Sequence, residues 1–216
     1  MIRLAVLDMA GTTVSDDGVV ERAFREAMGR EATAEALQFV RATMGQSKIT
    51  VFRALCGGDE AAARERNRRF EAAYDAAVDR GEVAPITGAE AAIAELRANG
   101  VWVCLTTGFS ASTRDRIIDA LGWRDSIDLM LSPEDAGRGR PHPDMILTAV
   151  LRLEVDDVRD VAVAGDTASD LIAGSRAGAG IVAGVLTGAH ARADLAQAPH
   201  THIIDSITDF PAILPG

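Results

Sequence analysis

Short, nearly continuous apolar runs punctuate this chain at residues 4–7, 101–105, 127–131, 161–164, 181–186 and 202–204. Runs of that length without polar alternation suit strands buried on both faces of a parallel sheet. Between them the apolar positions shift to a helical spacing. Ala89, Ala92, Ile93 and Leu96 form one stripe, and residues 112–121, 144–153, 168–177 and 190–196 carry the same signal. The alternation predicts an α/β fold built on a doubly wound parallel sheet.

The rhythm breaks after the first strand. From about Asp16 to Glu82 no strand-like run occurs, and the periodicity is helical. Val20, Phe24, Ala27 and Met28 share one face, followed by Leu37, Val40 and Met44, then Ile49, Phe52 and Cys56, then Phe70, Tyr74, Ala77 and Val78. Gly57-Gly58 interrupts the pattern once. A small helical cap over residues 15–81, inserted into an α/β core of residues 1–14 and 82–216, is the expected organisation. The Ala- and Arg-rich tract at 61–69 reads as a solvated helix face.

Composition narrows the function classes. The 216 residues are 48% hydrophobic, enough for one full domain with a sizeable core. The net charge of −10, from 32 acids against 22 bases, argues against nucleic acid as a partner. A small anionic substrate then needs local positive charge from a metal, Lys or Arg. Cys56 and Cys104 lie in apolar segments and read as buried thiols rather than a disulfide framework. Residues 1–7 lead straight into a strand-like run rather than a signal sequence, and no apolar stretch approaches the ~20 residues needed to cross a membrane. A cytoplasmic enzyme with no membrane partner is the expectation.

In open α/β sheets ligands bind beyond the carboxyl ends of the strands. Three such ends carry chemistry. The first strand runs into Asp8-Met9-Ala10-Gly11-Thr12-Thr13, the second into Thr106-Thr107-Gly108, and the strand at 161–164 into Gly165-Asp166-Thr167, with Asp170 four residues after Asp166. Gly139-Arg140-Pro141-His142-Pro143 precedes another helix. A strand-end carboxylate such as Asp8 can attack phosphorus. Backbone N–H groups of the following turn, around Gly11 and Thr12, can cradle phosphoryl oxygens. Thr107 offers a hydroxyl and Arg140 a fixed charge. Asp166 and Asp170, one helical turn apart, can face one point above the sheet. Magnesium takes hard oxygen ligands of this kind.

Taken together, Asp-x-x-Gly-Thr-Thr, the strand-ending Thr-Thr-Gly, Gly-Arg-Pro-x-Pro-Asp and Gly-Asp-Thr-x-x-Asp resemble the motif set of the haloacid dehalogenase superfamily over essentially the whole chain. The resemblance implies Asp8 as nucleophile and Mg²⁺ held by Asp8, the Ala10 carbonyl and Asp166, with Asp170 supporting the metal shell. It implies Gly11, Thr12, Thr107, Gly108 and Arg140 around the phosphoryl group. It also leaves open a homodimer, since related enzymes often pair through their caps.

Position 10 departs from the usual phosphatase pattern, which places there a second Asp acting as general acid and base. The phosphonatase-like branch shares the alanine. In that branch a cap lysine forms a Schiff base with the substrate's carbonyl, and the iminium accepts electrons as the carbon–phosphorus bond breaks. Lys48, in Met44-Gly45-Gln46-Ser47-Lys48-Ile49, matches that segment and is the only lysine of the chain. The branch also places a histidine three residues after its lysine and a tyrosine after the second-motif glycine. Val51 and Phe109 stand there instead.

Hydrolysis of a small carbonyl phosphonate is therefore the leading expectation. A phosphomonoesterase of the phosphoglycolate or sugar-phosphate type is the alternative, and a non-catalytic binder of a phosphorylated ligand is the third reading. Met44, Val51 and Phe109 are expected to set specificity. His142 reads as a solvent-exposed loop residue, His200 and His202 as structural or surface residues, and Trp102 and Trp123 as packing.

Overall fold

The computed structural model describes residues 1–15 and 17–215. Asp16 and Gly216, at the ends of the expected helical stretch and of the core, lie outside the described residues. Six parallel strands form one sheet: β1 (Leu4–Asp8), β2 (Trp102–Thr106), β3 (Leu129–Leu131), β4 (Val161–Gly165), β5 (Ile181–Val185) and β6 (His202–Ile204). Their order is β3-β2-β1-β4-β5-β6. β1 pairs with β2 from Leu4↔Trp102 to Asp8↔Thr106 and with β4 from Leu4↔Val161 to Leu7↔Ala164. The order reverses direction at β1 and β4, so a crevice opens beyond their carboxyl ends, where open α/β sheets bind ligands. All residues of β1, β4 and β5 are buried, as their unbroken apolar runs require.

Helices α1 (Val19–Met28), α2 (Ala34–Ala42), α3 (Lys48–Leu55) and α4 (Glu60–Asp79) occupy the stretch between β1 and the rest of the sheet. α4 begins where Asp59 accepts hydrogen bonds from the N–H groups of Ala61 and Ala62, at 2.9 and 3.0 Å. It buries Phe70, Tyr74, Ala77 and Val78 along one stripe. Phe24 packs, tilted, 4.7 Å from Phe70 and 4.8 Å from Phe52 between ring centroids. These rings fasten α1, α3 and α4 to one another. Arg64 and Arg69 pair with Glu60 and Glu65 on the outer face, the solvated surface that the sequence predicts.

Two chain crossings join this helical block to the sheet. Ser15 N–H donates to the Ala84 carbonyl at 2.8 Å, and Val14 bridges to Pro85. Arg22 ties both crossings, donating to the Asp17 carbonyl at 3.0 Å and to Glu82 at 2.6 Å. The remaining helices, α5 (Ala89–Ala98), α6 (Ala111–Leu121), α7 (Pro133–Ala136), α8 (Asp144–Arg152), α9 (Ala168–Ala177) and α10 (Arg192–Leu195), accompany the sheet.

Several local expectations change. The helix expected over 190–196 shrinks to Arg192–Leu195, because the His190 N–H bonds to the Asp166 carbonyl and Ala191 becomes the cap. Asp166 lies before α9 rather than on it, so it converges with Asp170 through the turn and not through helical spacing. Cys104 is buried but Cys56, at the end of α3, is half-buried. Trp102 opens β2 with 45% of its surface exposed, whereas Trp123 is buried and donates to Glu90 at 2.8 Å.

Candidate active site

The carboxyl ends of β1 and β4 bring three buried carboxylates together. Asp8, Asp166 and Asp170 have oxygens within 4.8 Å of one another. Arg140, equally buried, places Nη1 2.5 Å from Asp8 Oδ1 and also pairs with Asp170 Oδ1. Asp170 spends its other oxygen on the start of α9, accepting from the Thr167 N–H at 3.1 Å and the Thr167 hydroxyl at 2.5 Å. Asp166 is gripped from the far side. Its Oδ2 accepts from the Ala189 N–H at 2.6 Å, and Thr12 donates to its Oδ1 at 3.4 Å.

Glycine makes this proximity possible. Gly11 has φ +88°, and a methyl group there would press on Asp166 Oδ2, as would one at Gly188. The turn after β1 is closed by Gly11 N–H to the Val14 carbonyl at 2.8 Å and by the Thr13 hydroxyl on the Asp8 carbonyl at 2.8 Å. The Thr187 hydroxyl joins it to the loop after β5, donating to the Gly11 carbonyl at 2.7 Å.

Charge balance defines what the cluster can hold. Burial pushes the Asp8 carboxyl well above its usual range; Arg140 opposes this, while Asp170 and Asp166 reinforce it. Burial, with the Asp170 charge, pushes Asp166 up to about 6, against the Ala189 N–H bond. Burial alone would lower the Arg140 pKa, but Asp170 and Asp8 outweigh it and raise it. Three carboxylates on one guanidinium leave the site short of positive charge. Hard oxygen donors in a slot walled by glycines suit a small divalent cation.

A cavity of about 250 Å³ opens over this cluster, lined by Asp8, Ala10, Gly11, Thr107, Gly108, Arg140 and Asp166 on the core side. Thr107 accepts the Phe109 N–H at 3.2 Å, which leaves its own hydroxyl hydrogen available to a ligand. Met44, Gly45, Lys48 and Val20 of the helical block complete the wall with Phe109 and Ile86. Lys48 is buried at the start of α3, with Nζ 5.0 Å from the Phe109 ring centroid and 5.9 Å from that of Phe24. Its backbone N–H donates to the Gly108 carbonyl at 3.2 Å.

Of the residues singled out in the sequence, Asp8, Ala10, Gly11, Lys48, Thr107, Gly108, Arg140 and Asp166 all border this one cavity. Thr12 and Asp170 stand behind it and bond to Asp166 and Arg140 respectively. Met44 and Phe109 line it, but Val51 does not; its side chain is buried in the apolar cluster beneath. His142 is exposed, as expected. The sequence does not single out the loop 187–190. His190 anchors it by accepting the Ala168 N–H on Nδ1 at 3.1 Å. The only signal was Thr187-Gly188 just beyond a strand end, because the decisive donor is a backbone N–H.

Known proteins resemble this chain in sequence and in fold. Residues 2–178 match the model of the haloacid dehalogenase-like hydrolases. A phosphonoacetaldehyde hydrolase of Bordetella pertussis is 29% identical, covering 97% of this chain and 90% of its own length. A bifunctional riboflavin kinase/FMN phosphatase of Arabidopsis thaliana is 27% identical over 82% of this chain and 47% of its own. The crystal structure of a phosphonoacetaldehyde hydrolase-like protein from Oleispira antarctica shares the fold, with a TM-score of 0.84 at 23% identity over 98% of this chain and 91% of that one. With the strand order, the acidic cluster and the family model in accord, this chain is a hydrolase of the haloacid dehalogenase-like family.

Proposed function

We propose that this hydrolase cleaves the carbon–phosphorus bond of a small carbonyl phosphonate, with Asp8 as nucleophile and Lys48 as the amine that activates the carbonyl. The observation that carries this reading is that Lys48 borders the same cavity as Asp8, while Ala10, two residues after the nucleophile, carries no acid group. An amine in the chamber supplies what the missing carboxyl cannot, a route for the electrons of the departing carbon.

The Lys48 amine condenses with the carbonyl, losing water and forming an iminium. Asp8 attacks phosphorus, the carbon–phosphorus bond breaks, and its electron pair moves into the iminium to give an enamine. Water then hydrolyses the aspartyl-phosphate, and protonation and hydrolysis of the enamine free Lys48 and the aldehyde or ketone. The Thr107 hydroxyl and the N–H groups of the Gly11–Thr12 turn hold phosphoryl oxygens, and Arg140 orients Asp8.

Asp8, the Ala10 carbonyl and Asp166 would hold Mg²⁺, with Asp170 supporting the shell through Arg140 and Thr167. The ion supplies charge neutralisation between nucleophile and phosphoryl group. The helical block, residues 15–81, acts as a cap on the core of residues 1–14 and 82–216. Its closure expels water from the chamber and brings Lys48 in.

A second reading, phosphomonoester hydrolysis with Lys48 only contacting the substrate, draws support from the FMN phosphatase relative. Phosphate release from phosphonoacetaldehyde with Mg²⁺, measured beside a panel of phosphate esters, separates the two. The expected result is release from the phosphonate and, with borohydride present, inactivation with a mass adduct on Lys48. Release from esters alone, without the adduct, would overturn the carbon–phosphorus reading.

A further inference from the structure

Thr107, Gly108 and Phe109 follow one another beyond the end of β2, and each meets a different part of the chamber. The Thr107 N–H donates to the Leu131 carbonyl at 3.1 Å, which fixes the segment to the sheet. Thr107 borders the Asp8 cavity, and its hydroxyl oxygen accepts the Phe109 N–H at 3.2 Å. The Gly108 carbonyl accepts the Lys48 N–H at 3.2 Å. The centroid of the Phe109 ring lies 5.0 Å from Lys48 Nζ, within the range of a cation–π contact. This segment therefore meets Lys48 twice, at its backbone and at its side chain.

The same ring enters the aromatic cluster of the helical block. It packs 4.4 Å from Tyr74, tilted by 42°, and stacks 6.2 Å from Phe70. Phe24 of α1 offers a second face to Lys48, its centroid 5.9 Å from Nζ. One face comes from beyond the sheet and the other from the helical block, so the seat for the amine is complete only with the two in contact.

An ammonium and an iminium carry the same single positive charge. The ring faces therefore favour neither over the other and do not drive the condensation. What they fix is the place of the nitrogen. Placement counts most where two reacting centres must align, here a carbonyl carbon at Lys48 and a phosphorus at Asp8.

We propose that Phe109 is a positioning residue, which docks into the aromatic cluster of the helical block and sets the Lys48 amine in register with the phosphoryl seat beside Thr107. The inference rests on the Lys48 role assigned above and adds the element that lets amine and nucleophile act on one molecule. An aliphatic side chain can fill the space, but it offers no flat face to a cation and no ring to pack on Tyr74.

The test compares acetone with 2-oxopropylphosphonate, which present the same carbonyl without and with a phosphonate head. Cyanoborohydride traps the Lys48 adduct in the whole chain with Mg²⁺, and mass spectrometry follows its rate, counting intact and cleaved adducts together. In the native protein the phosphonate head is expected to speed trapping at least about 10²-fold over acetone at equal concentration. Phe109→Leu and Phe109→Met should cut that ratio at least about tenfold, leaving the acetone rate undiminished and the calorimetric affinity for inorganic phosphate within about twofold of native. Phe109→Tyr, which keeps the ring, should restore the ratio. Equal rates with the two ketones in the native protein would overturn the register. So would a ratio that leucine and methionine leave unchanged, or that tyrosine fails to restore. A fall in phosphate affinity, or in both trapping rates together, would mark a merely structural role and overturn it as well. A native protein that traps neither ketone would overturn the Lys48 amine itself, and the register with it.

Discussion

Arg140 Nη1 lies 2.5 Å from Asp8 Oδ1 and also reaches Asp170, so a single guanidinium holds apart two carboxylates that would otherwise repel. The pair is buried, and the Arg140 charge opposes the upward pull that burial, Asp170 and Asp166 exert on the Asp8 carboxyl. Removing one partner of a buried ion pair leaves an uncompensated charge and costs about 3–5 kcal/mol. Arg140→Ala is expected to lower metal-free stability by that order in denaturant unfolding, with Mg²⁺ recovering part of the loss. An unchanged midpoint would mean that the carboxylates neutralise by other means.

The raised carboxyls give a pH dependence with a definite sign. Asp166 titrates at about 6 in the fold against 3.8 for the free side chain, so the folded state binds the extra proton between those values. Stability from this group therefore falls as pH rises from about 4 to 6, by an amount on the order of a few kcal/mol in the metal-free protein. Asp8 acts in the same direction. A cation that needs both groups ionised should bind more weakly below pH 6. The Mg²⁺-induced rise in Tm should grow between pH 5 and pH 7.5; a rise independent of pH would separate metal binding from these carboxylates.

Asp8→Asn should abolish turnover, with residual activity below about 10⁻³ of native, because an amide cannot form the acyl phosphate. Phosphate release by this variant near native rates would reject Asp8 as nucleophile.

Gly108 meets the helical block so closely that a methyl group there would strike the Gln46 carbonyl. Its own carbonyl also accepts the Lys48 N–H. Gly108→Ala should displace the start of α3 and cost roughly 10²-fold in activity, the scale for a misplacement of about 1 Å. The Mg²⁺-induced thermal shift should persist, since the acidic cluster is untouched. Loss of both would point to general unfolding instead.

The rings of Phe24, Phe52, Phe70 and Tyr74 are fully buried where α1, α3 and α4 meet. Phe70→Ala should destabilise by about 3–5 kcal/mol through transfer and cavity costs. Thermal unfolding measures it, and a loss under 1 kcal/mol would imply that the block repacks.

Much of this architecture is legible in the apolar pattern. Buried parallel strands leave continuous runs, and Asp8, Thr107 and Asp166 announce themselves by standing just past those runs. Arg140 is legible as a charge near a helix start, yet its bond to Asp170 depends on distant turns meeting. The grip of the Ala189 N–H on Asp166 leaves no mark in residue type, since every residue but proline carries that donor. Val51 shows the reverse failure: its place beside Lys48 in sequence suggests the cavity, but the helix turns it into the apolar cluster. The expected helix at 190–196 misleads for a related reason, because His190 satisfies its polar groups on neighbours of the acidic cluster rather than along a helix.

Lys48 is the sole lysine of the chain, and it lies 8% exposed where the helical block rests on Gly108. Any reagent that acylates side-chain amines therefore has one target, and can reach it only when that contact parts. The rate at which added mass accumulates on Lys48, read apart from that on the exposed terminal amine of Met1, would then time the parting itself, turning an ordinary protein-labelling reaction into a clock for the opening of the chamber.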